Sequence, residues 1–402
     1  MAENENGLPH WNLETIYPSL GSEAFRSDFN NWTQALNDLT AFFNAHNIDR
    51  PDADVAMDEE AIRTLETIIN RLNDLQRLGH GLYAYVMGLV TTDSRNAEAQ
   101  SWMSKLQIAL ARLEKLGPRF TAWVGGIDID AAVDRSEIAR EHAFTLENAR
   151  IEASHLMTPD EEDLAADLNL TGGRAWARFY NNFSSQITAK VEVDGEPRTL
   201  PMPAIRNLAS EEDRDLRRRA YEAELAAWEH NAMPIASALN SIKGQANVLN
   251  ERRNWSSPLA LAMFNNRIDE ATLTAMMETA KAFFPDFRRY LKAKARALEV
   301  DTCAWYDLFA PVGKFERTWT FDAARAFIVE QFSTFAPSLA DLAARAFEER
   351  WIDAEPREGK RGGGFCMWVH GEISRILVNY QRAYGGVSTL AHELGHAYHN
   401  YN

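Results

Sequence analysis

His392 and His396 stand four residues apart in the run His392-Glu393-Leu394-Gly395-His396. On an α-helix that spacing brings both imidazoles to one face, one turn apart. Two imidazoles so placed can share one tetrahedral metal ion, and zinc is the ion expected for them. Glu393 lies one residue on, rotated about the axis so that its carboxylate reaches a metal-bound water rather than a coordination position. Zinc lowers the pKa of such a water from about 15.7 to about 7. A carboxylate in that place can then accept the proton while the hydroxide attacks a peptide carbonyl, which makes Glu393 a general base for peptide hydrolysis. With ten histidines in 402 residues, a chance His-Glu-x-x-His arises on the order of once in fifty such chains. The motif therefore outweighs the bland alternative of two surface histidines.

The elements around the motif must hold it. Gly385-Gly386 breaks the chain, and Ser388 is expected to cap a metal helix that begins at Thr389. Before it, Ser374 to Tyr380 alternates, with Ile376, Val378 and Tyr380 on one face and Arg375, Leu377 and Asn379 on the other. That pattern predicts a strand covered mainly on one side. The segment from Gly359 onward thus reads as loop, strand, loop, helix. An edge strand beside such a helix can pair with an extended peptide, which makes Arg375, Asn379 and the preceding His370 candidates for substrate contact. His399 shares roughly the metal-binding face and is a candidate substitute ligand, second-layer donor or substrate contact. Gly395, lacking a side chain, would let backbone or a neighbouring helix approach beside the metal. A metzincin would need Gly at 399 and His at 402, where this chain has His399 and Asn402, so that class is excluded. The other plan takes a glutamate from a later helix, and no such helix follows His396 in these residues. Lys360-Arg361 with Gly362 to Gly364 lacks the Gly-Lys-Ser/Thr order of a phosphate loop.

Upstream, helical periodicity dominates. Ile62, Leu65, Ile68, Ile69, Leu72, Leu75 and Leu78 form an apolar stripe that needs a partner helix. Further helices are predicted over Ala97 to Leu116, closed by Gly117-Pro118, and over Ser136 to His155. Ile187, Val191 and Val193 before Asp194-Gly195 predict a tight hairpin and a domain seam. Helix resumes after Ser210, which with Asp213 resembles a capping box, and runs to Asn250 with a kink or division at Pro234. Asp269 to Leu298 is predicted helical with an interruption near Pro285, and Phe321 to Arg350 with a break near Pro337. The domains read as residues 1–200, helical and ending in the hairpin, and 201–402, catalytic.

With 42 basic against 58 acidic residues the chain carries −16, which opposes adhesion to nucleic acid or anionic lipid. The basic run Arg214 to Arg219 is interleaved with acids and reads as a solvated helix face. Mean hydropathy is −0.38, and no apolar run approaches a membrane span. Cys303 and Cys366 read as reduced thiols. The N-terminus has no secretory signal pattern, so the expected location is cytoplasmic.

Several motifs together resemble the peptidase M3 family, in its oligoendopeptidase F branch. They are Trp11-Asn12-Leu13 with Tyr17-Pro18, His155-Leu156-Met157-Thr158 with Glu161-Glu162, and Trp305-Tyr306-Asp307-Leu308 with Ala310-Pro311. Trp351-Ile352-Asp353, Gly359-Lys360-Arg361-Gly362-Gly363, Ile376-Leu377-Val378-Asn379-Tyr380 and Ser388-Thr389-Leu390-Ala391 continue the match into the metal motif. The resemblance implies a mainly α, zincin-type metallopeptidase with a small β element beside the metal helix and its C-terminal part missing. It also implies one zinc ion on His392 and His396, Glu393 as base, and short unstructured peptides as substrates. The third ligand and the donors to the tetrahedral intermediate fall beyond this chain, so activity of the 402 residues alone is expected to be impaired. The competing expectation is a helical peptide-binding or scaffold module that keeps the fold without the chemistry. Oligomeric state does not follow from these residues.

Overall fold

The computed structural model describes residues 7–313 and 318–401. Three long helices come first: α1 (Glu23–Ala45), α2 (Glu59–Thr92) and α3 (Ala97–Val124). Ser22, Asp58 and Asn96 cap them by accepting hydrogen bonds from first-turn backbone N–H groups, which have no partner inside a helix. The apolar stripe of α2 buries Ile62, Leu65, Ile68, Ile69 and Leu75 in one cluster with Phe25, Trp32, Leu36, Leu39 and Phe43 of α1. Each large apolar side chain fully buried contributes about 1.5–3 kcal/mol, so this layer dominates the stability of the first half. Gly79 makes room for it, because a Cβ there would lie 2.7 Å from the Trp32 indole nitrogen. That nitrogen donates to the Leu75 carbonyl at 2.9 Å.

Contrary to expectation, α3 does not close at Gly117-Pro118. It runs on to Val124, with Leu116, Trp123 and Val124 buried on both sides of the proline. Losing one helical bond costs about 3 kcal/mol, which three buried apolar side chains outweigh. The helix predicted over Ser136 to His155 is divided. After α4 (Ile129–Arg135) come α5 (Glu137–Glu141) and α6 (Ala143–Ala153), separated where His142 leaves helical geometry at φ −104 and ψ 12. α7 (Pro159–Thr171) and α8 (Gly173–Ser184) follow. The conspicuous run from His155 to Glu162 proves to be joinery. Thr158 and Glu161 form a capping box for α7, and buried Glu162 pairs with Arg253 at 2.6 Å.

The hairpin is present as β1 (Thr188–Val193) and β2 (Glu196–Pro201), paired antiparallel. Asp194 and Gly195 both have positive φ, 55 and 78, as a two-residue primed turn requires. Next come α9 (Met202–Asn207), α10 (Arg214–His230), α11 (Ala232–Arg252), α12 (Pro258–Asn266) and α13 (Glu270–Ala297). Asp213, not Ser210, caps α10. The division falls at Asn231, leaving Pro234 in the first turn of α11, where its missing N–H costs little. α13 passes through Pro285 without a break. One lost bond does not end a helix of 28 residues that is capped by Asp269 and carries Lys294 and Arg296 in its last turn. The basic run on α10 is not simply a solvated face. Arg214 and Arg217 hold fully buried Asp307 at 2.9 and 3.1 Å, and Arg217 is itself 3% exposed.

The last part pairs α14 (Phe321–Phe335) with α15 (Pro337–Glu348), broken at Pro337 as predicted. A three-stranded sheet follows, made of β3 (Ile352–Asp353), β4 (Phe365–His370) and β5 (Ile373–Leu377) in the order β3-β5-β4. β5 was expected to lie at an edge and be covered on one face. It is instead the central strand, parallel to β3 and antiparallel to β4, with Ser374, Arg375, Ile376 and Leu377 all buried. Over the sheet lies α16 (Tyr384–Tyr401), whose Val387, Leu390, Leu394 and Ala397 join Trp351, Ile352 and Ile376 in a second core. The chain is thus mainly helical with a small sheet beside the helix that carries the histidines. Among the described residues no helix is long and apolar enough to cross a membrane.

Candidate active site

α16 starts at Tyr384, earlier than Ser388 capping would allow, and takes Gly385-Gly386 into its first turn. The reason is steric. A Cβ on Gly386 would lie 2.1 Å from the Gln381 carbonyl oxygen, so only glycine lets the helix begin against that strand exit. The apolar side of the helix faces the sheet and sets the rotation of everything else. His392 and His396 consequently emerge on the exposed side, their Nε2 atoms 3.1 Å apart. Two nitrogens at zinc–nitrogen distances of about 2.0–2.1 Å and a tetrahedral angle are separated by about 3.3 Å. The pair therefore fits one zinc ion. Among the described residues no third His, Cys, Asp or Glu completes a metal-binding group with them.

Glu393 turns the other way, toward β4, and is 6% exposed. The Cys366 backbone N–H favours its charged form, and Gly364 lies so close that a Cβ there would be 3.3 Å from Oε1. Burial raises its pKa above the ordinary glutamate value, opposed by His392, His396 and the Cys366 N–H. A carboxylate lifted toward neutrality is a stronger base than a solvated one. The same burial pushes the Cys366 thiol up to about 12, so it stays protonated and unreactive.

The other candidates are scattered. Arg375 does not face substrate: it is 1% exposed and donates to the Asn12 carbonyl from Nε at 3.1 Å and Nη2 at 2.9 Å, and to Thr15 Oγ1 at 2.6 Å. Because both faces of β5 are covered, its side chain meets the N-terminal segment. This accounts for Trp11-Asn12-Leu13 as a clasp on the sheet. Asn379 donates to the carbonyls of Arg361 at 3.1 Å and Gly363 at 2.9 Å, and so shapes the glycine loop beside Glu393. His370 is exposed at the end of β4 and shares a shallow pocket with Tyr17 and Asp28. His399 is exposed on the last turn of α16. Beside Gly395 the space is open, with no described atom within 4 Å of a Cβ placed there, so the expected close neighbour is not among the described residues. Asn402 lies outside them. Lys360 is fully buried, its Nζ 2.7 Å from Asp353 Oδ1 and bonded to the carbonyls of residues 353, 355 and 378. No phosphate could reach it.

The residues that the one-strand reading missed are Gly364 and Cys366. A signal existed: Phe365-Cys366-Met367-Trp368-Val369 is a β-forming apolar run bounded by Gly364 and Gly371. It forms β4, the outer strand that places Cys366 beneath Glu393.

Comparison with known proteins agrees with this architecture. The chain is 23% identical to oligopeptidase PepF of Bacillus subtilis over 97% of its length and 57% of that protein's. It is 23% identical to the group B oligopeptidase PepB of Streptococcus agalactiae over its whole length and 66% of that protein's. It thus spans roughly three fifths to two thirds of these relatives. Among solved structures, the fold is shared with oligoendopeptidase F of Enterococcus faecium, at a TM-score of 0.62 and 17% identity over 82% of this chain and 66% of that one. It is also shared with PZ peptidase A solved with an inhibitor, at a TM-score of 0.65 and 16% identity over 94% and 63%. The sequence pattern described as oligopeptidase F matches residues 128–188. That of peptidase family M3 matches residues 207–402, including the whole site, and the chain belongs to peptidase family M3.

Proposed function

We propose that the chain hydrolyses short oligopeptides, with His392 and His396 holding a zinc ion and Glu393 acting as general base. The carrying observation is the division of labour on α16: two imidazole nitrogens 3.1 Å apart on the exposed face, with a buried carboxylate one residue away. Zinc, when bound, would supply Lewis acidity toward water and the scissile carbonyl. Glu393 takes the proton from the attacking water and returns it to the leaving amine. The bare backbone of Gly364 leaves the carboxylate the room to sit buried for both transfers. β4 is an outer strand of the sheet, and an outer strand can pair with an extended peptide, which favours unstructured substrates over folded proteins. The oligopeptidase names of the Bacillus and Streptococcus relatives support the same substrate class.

A catalytic zinc site ordinarily uses three protein ligands, and the described residues offer two. Zinc held by these alone is expected to be weak and turnover slow, with a glutamate from outside them as the third donor. The acidic composition argues against nucleic acid and anionic membranes as partners, and free Cys303 and Cys366 are in keeping with the cytoplasm. The test is cleavage of a short quenched fluorescent peptide. Chelation should abolish it, zinc should restore it, and Glu393→Gln should lower it by about 10²–10⁴. Unchanged cleavage in Glu393→Gln or under chelation overturns the reading.

A further inference from the structure

A cavity of about 820 Å³ lies between α2, α3 and α8 and reaches β4 at Trp368. The volume is within the usual range for ligand sites. None of His392, Glu393 and His396 lines it, so it is not the metal site. Its floor is apolar, with Met87, Met103, Leu110 and Leu113. Its charge runs against the rest of the molecule: in a chain of net −16, the lining carries four arginines and one glutamate. Arg174 is paired with that Glu114, and Arg77 with Asp74. Arg178 reaches only the neutral side chain of Gln107. Arg361 lies over the Phe365 ring at 5.4 Å. These two guanidiniums are permanently charged and, among the described residues, have no carboxylate in ion-pair range.

The position relative to Glu393 is fixed by the backbone. Arg361 donates its N–H to the Thr91 carbonyl of α2 at 2.8 Å, and three residues later Gly364 lies against Glu393. On the strand, Trp368 follows Cys366 by two residues, roughly 7 Å of extended chain. The Trp368 indole stacks on His80 of α2 at 4.9 Å, and its carbonyl oxygen lies 2.8 Å from His80 Nε2, which closes this end of β4 against α2. Trp368, which lines the cavity, thus stands two strand residues from Cys366, which faces Glu393.

We propose that this cavity is a distal recognition site of the peptidase. It takes an apolar residue against its Met and Leu lining and a peptide carboxylate, terminal or side-chain, at Arg178 or Arg361, a few positions from the scissile bond. The proposal rests on the peptidase reading and adds a preference for short, acidic or free-ended peptides to it. Guanidinium-to-carboxylate bonds are among the strong, directional ones, and an apolar surround lowers the screening they suffer.

Binding is measured by fluorescence anisotropy on the metal-free 402-residue chain carrying Glu393→Gln, so that no cleavage interferes. Three labelled apolar hexapeptides serve as probes: one with a free C-terminal acid, one amidated, and one amidated with an internal Glu. At least one carboxylate peptide should bind about tenfold tighter than the neutral amide, and whichever does identifies the source. Arg178→Gln combined with Arg361→Gln should remove the advantage while leaving the neutral peptide's affinity in place, and Arg178→Glu should transfer it to a Lys-bearing amide. Leu110→Trp, which fills the floor without changing charge, should weaken all three probes. Equal affinity for all probes, an advantage that survives the double Gln variant, or indifference to Leu110→Trp overturns the proposal. Absence of this preference in the chain with both arginines, together with Glu393-dependent cleavage in the parent chain, refutes this site alone, whereas cleavage that Glu393→Gln leaves unchanged refutes the peptidase reading.

Discussion

The three-stranded sheet has a buried carboxylate at each edge, and the two are treated oppositely. At the β3 edge, Asp353 is 1% exposed and meets Arg357 at 2.8 and 3.1 Å and Lys360 at 2.7 Å. Burial alone would raise its pKa, yet Arg357 and Lys360 hold it below the ordinary aspartate value. At the β4 edge, Glu393 is nearly as buried but, among the described residues, has no Lys or Arg in ion-pair range, and burial carries its pKa upward. Asp307, gripped by Arg214 and Arg217, follows the Asp353 pattern. A buried acid with matched cations is a fastener, because its charge is already satisfied. A buried acid without them is costly, and the proposed role of Glu393 as general base would make use of that state.

The sharpest break of this comparison is to neutralise each acid in turn. Glu393→Gln should reduce peptide cleavage by about 10²–10⁴ while leaving the melting temperature equal or higher, since no cation is orphaned. Asp353→Ala should do the reverse, destabilising by about 3–5 kcal/mol in chemical denaturation because Lys360 stays buried without its counter-ion. Asp353→Leu combined with Lys360→Met should recover much of that loss. A stability loss in Glu393→Gln as large as in Asp353→Ala would erase the distinction.

Smaller perturbations sharpen it. Gly364→Ala places a methyl 3.3 Å from Glu393 Oε1. Shifting the base by a few tenths of an ångström should cost about three- to tenfold in kcat, with a melting shift under about 2 °C. The smallest effect is in acid. Asp353 and Asp307 have folded pKa values below their unfolded ones. Their contribution is therefore complete above the unfolded value of about 3.9 and is lost as pH falls through the folded values. Denaturation midpoints measured downward from pH 5 should drop less steeply in Asp353→Asn than in the parent chain. An identical slope would show that the pair is not held ionised by the fold.

Legibility in the sequence followed the range of the interaction. Helices with a long apolar stripe, such as α2, and the Asp194-Gly195 turn could be read because neighbours three, four or two residues apart decide them. The prolines at 118 and 285 do not end their helices, since propensity is local and continuous helix geometry on both sides outweighs it. His392 and His396 were legible because one helix fixes their relation. Arg375 was not, because its surroundings come from Asn12 and Thr15, some 360 positions away.

The sequence by itself determined the mainly helical class and the one-face spacing of His392 and His396 beside Glu393, the triplet proposed to carry the chemistry, because helical periodicity dictates which side chains share a face. Only the tertiary structure decided that β5 is central and β4 outer, that Asp353, Asp307 and Arg375 are fasteners, and that Glu393 is buried against Cys366 and Gly364. A carboxylate has the same intrinsic acidity wherever it is written in the chain. Whether it becomes a base or a bolt depends on which distant cations the fold delivers to it, and no local pattern encodes that.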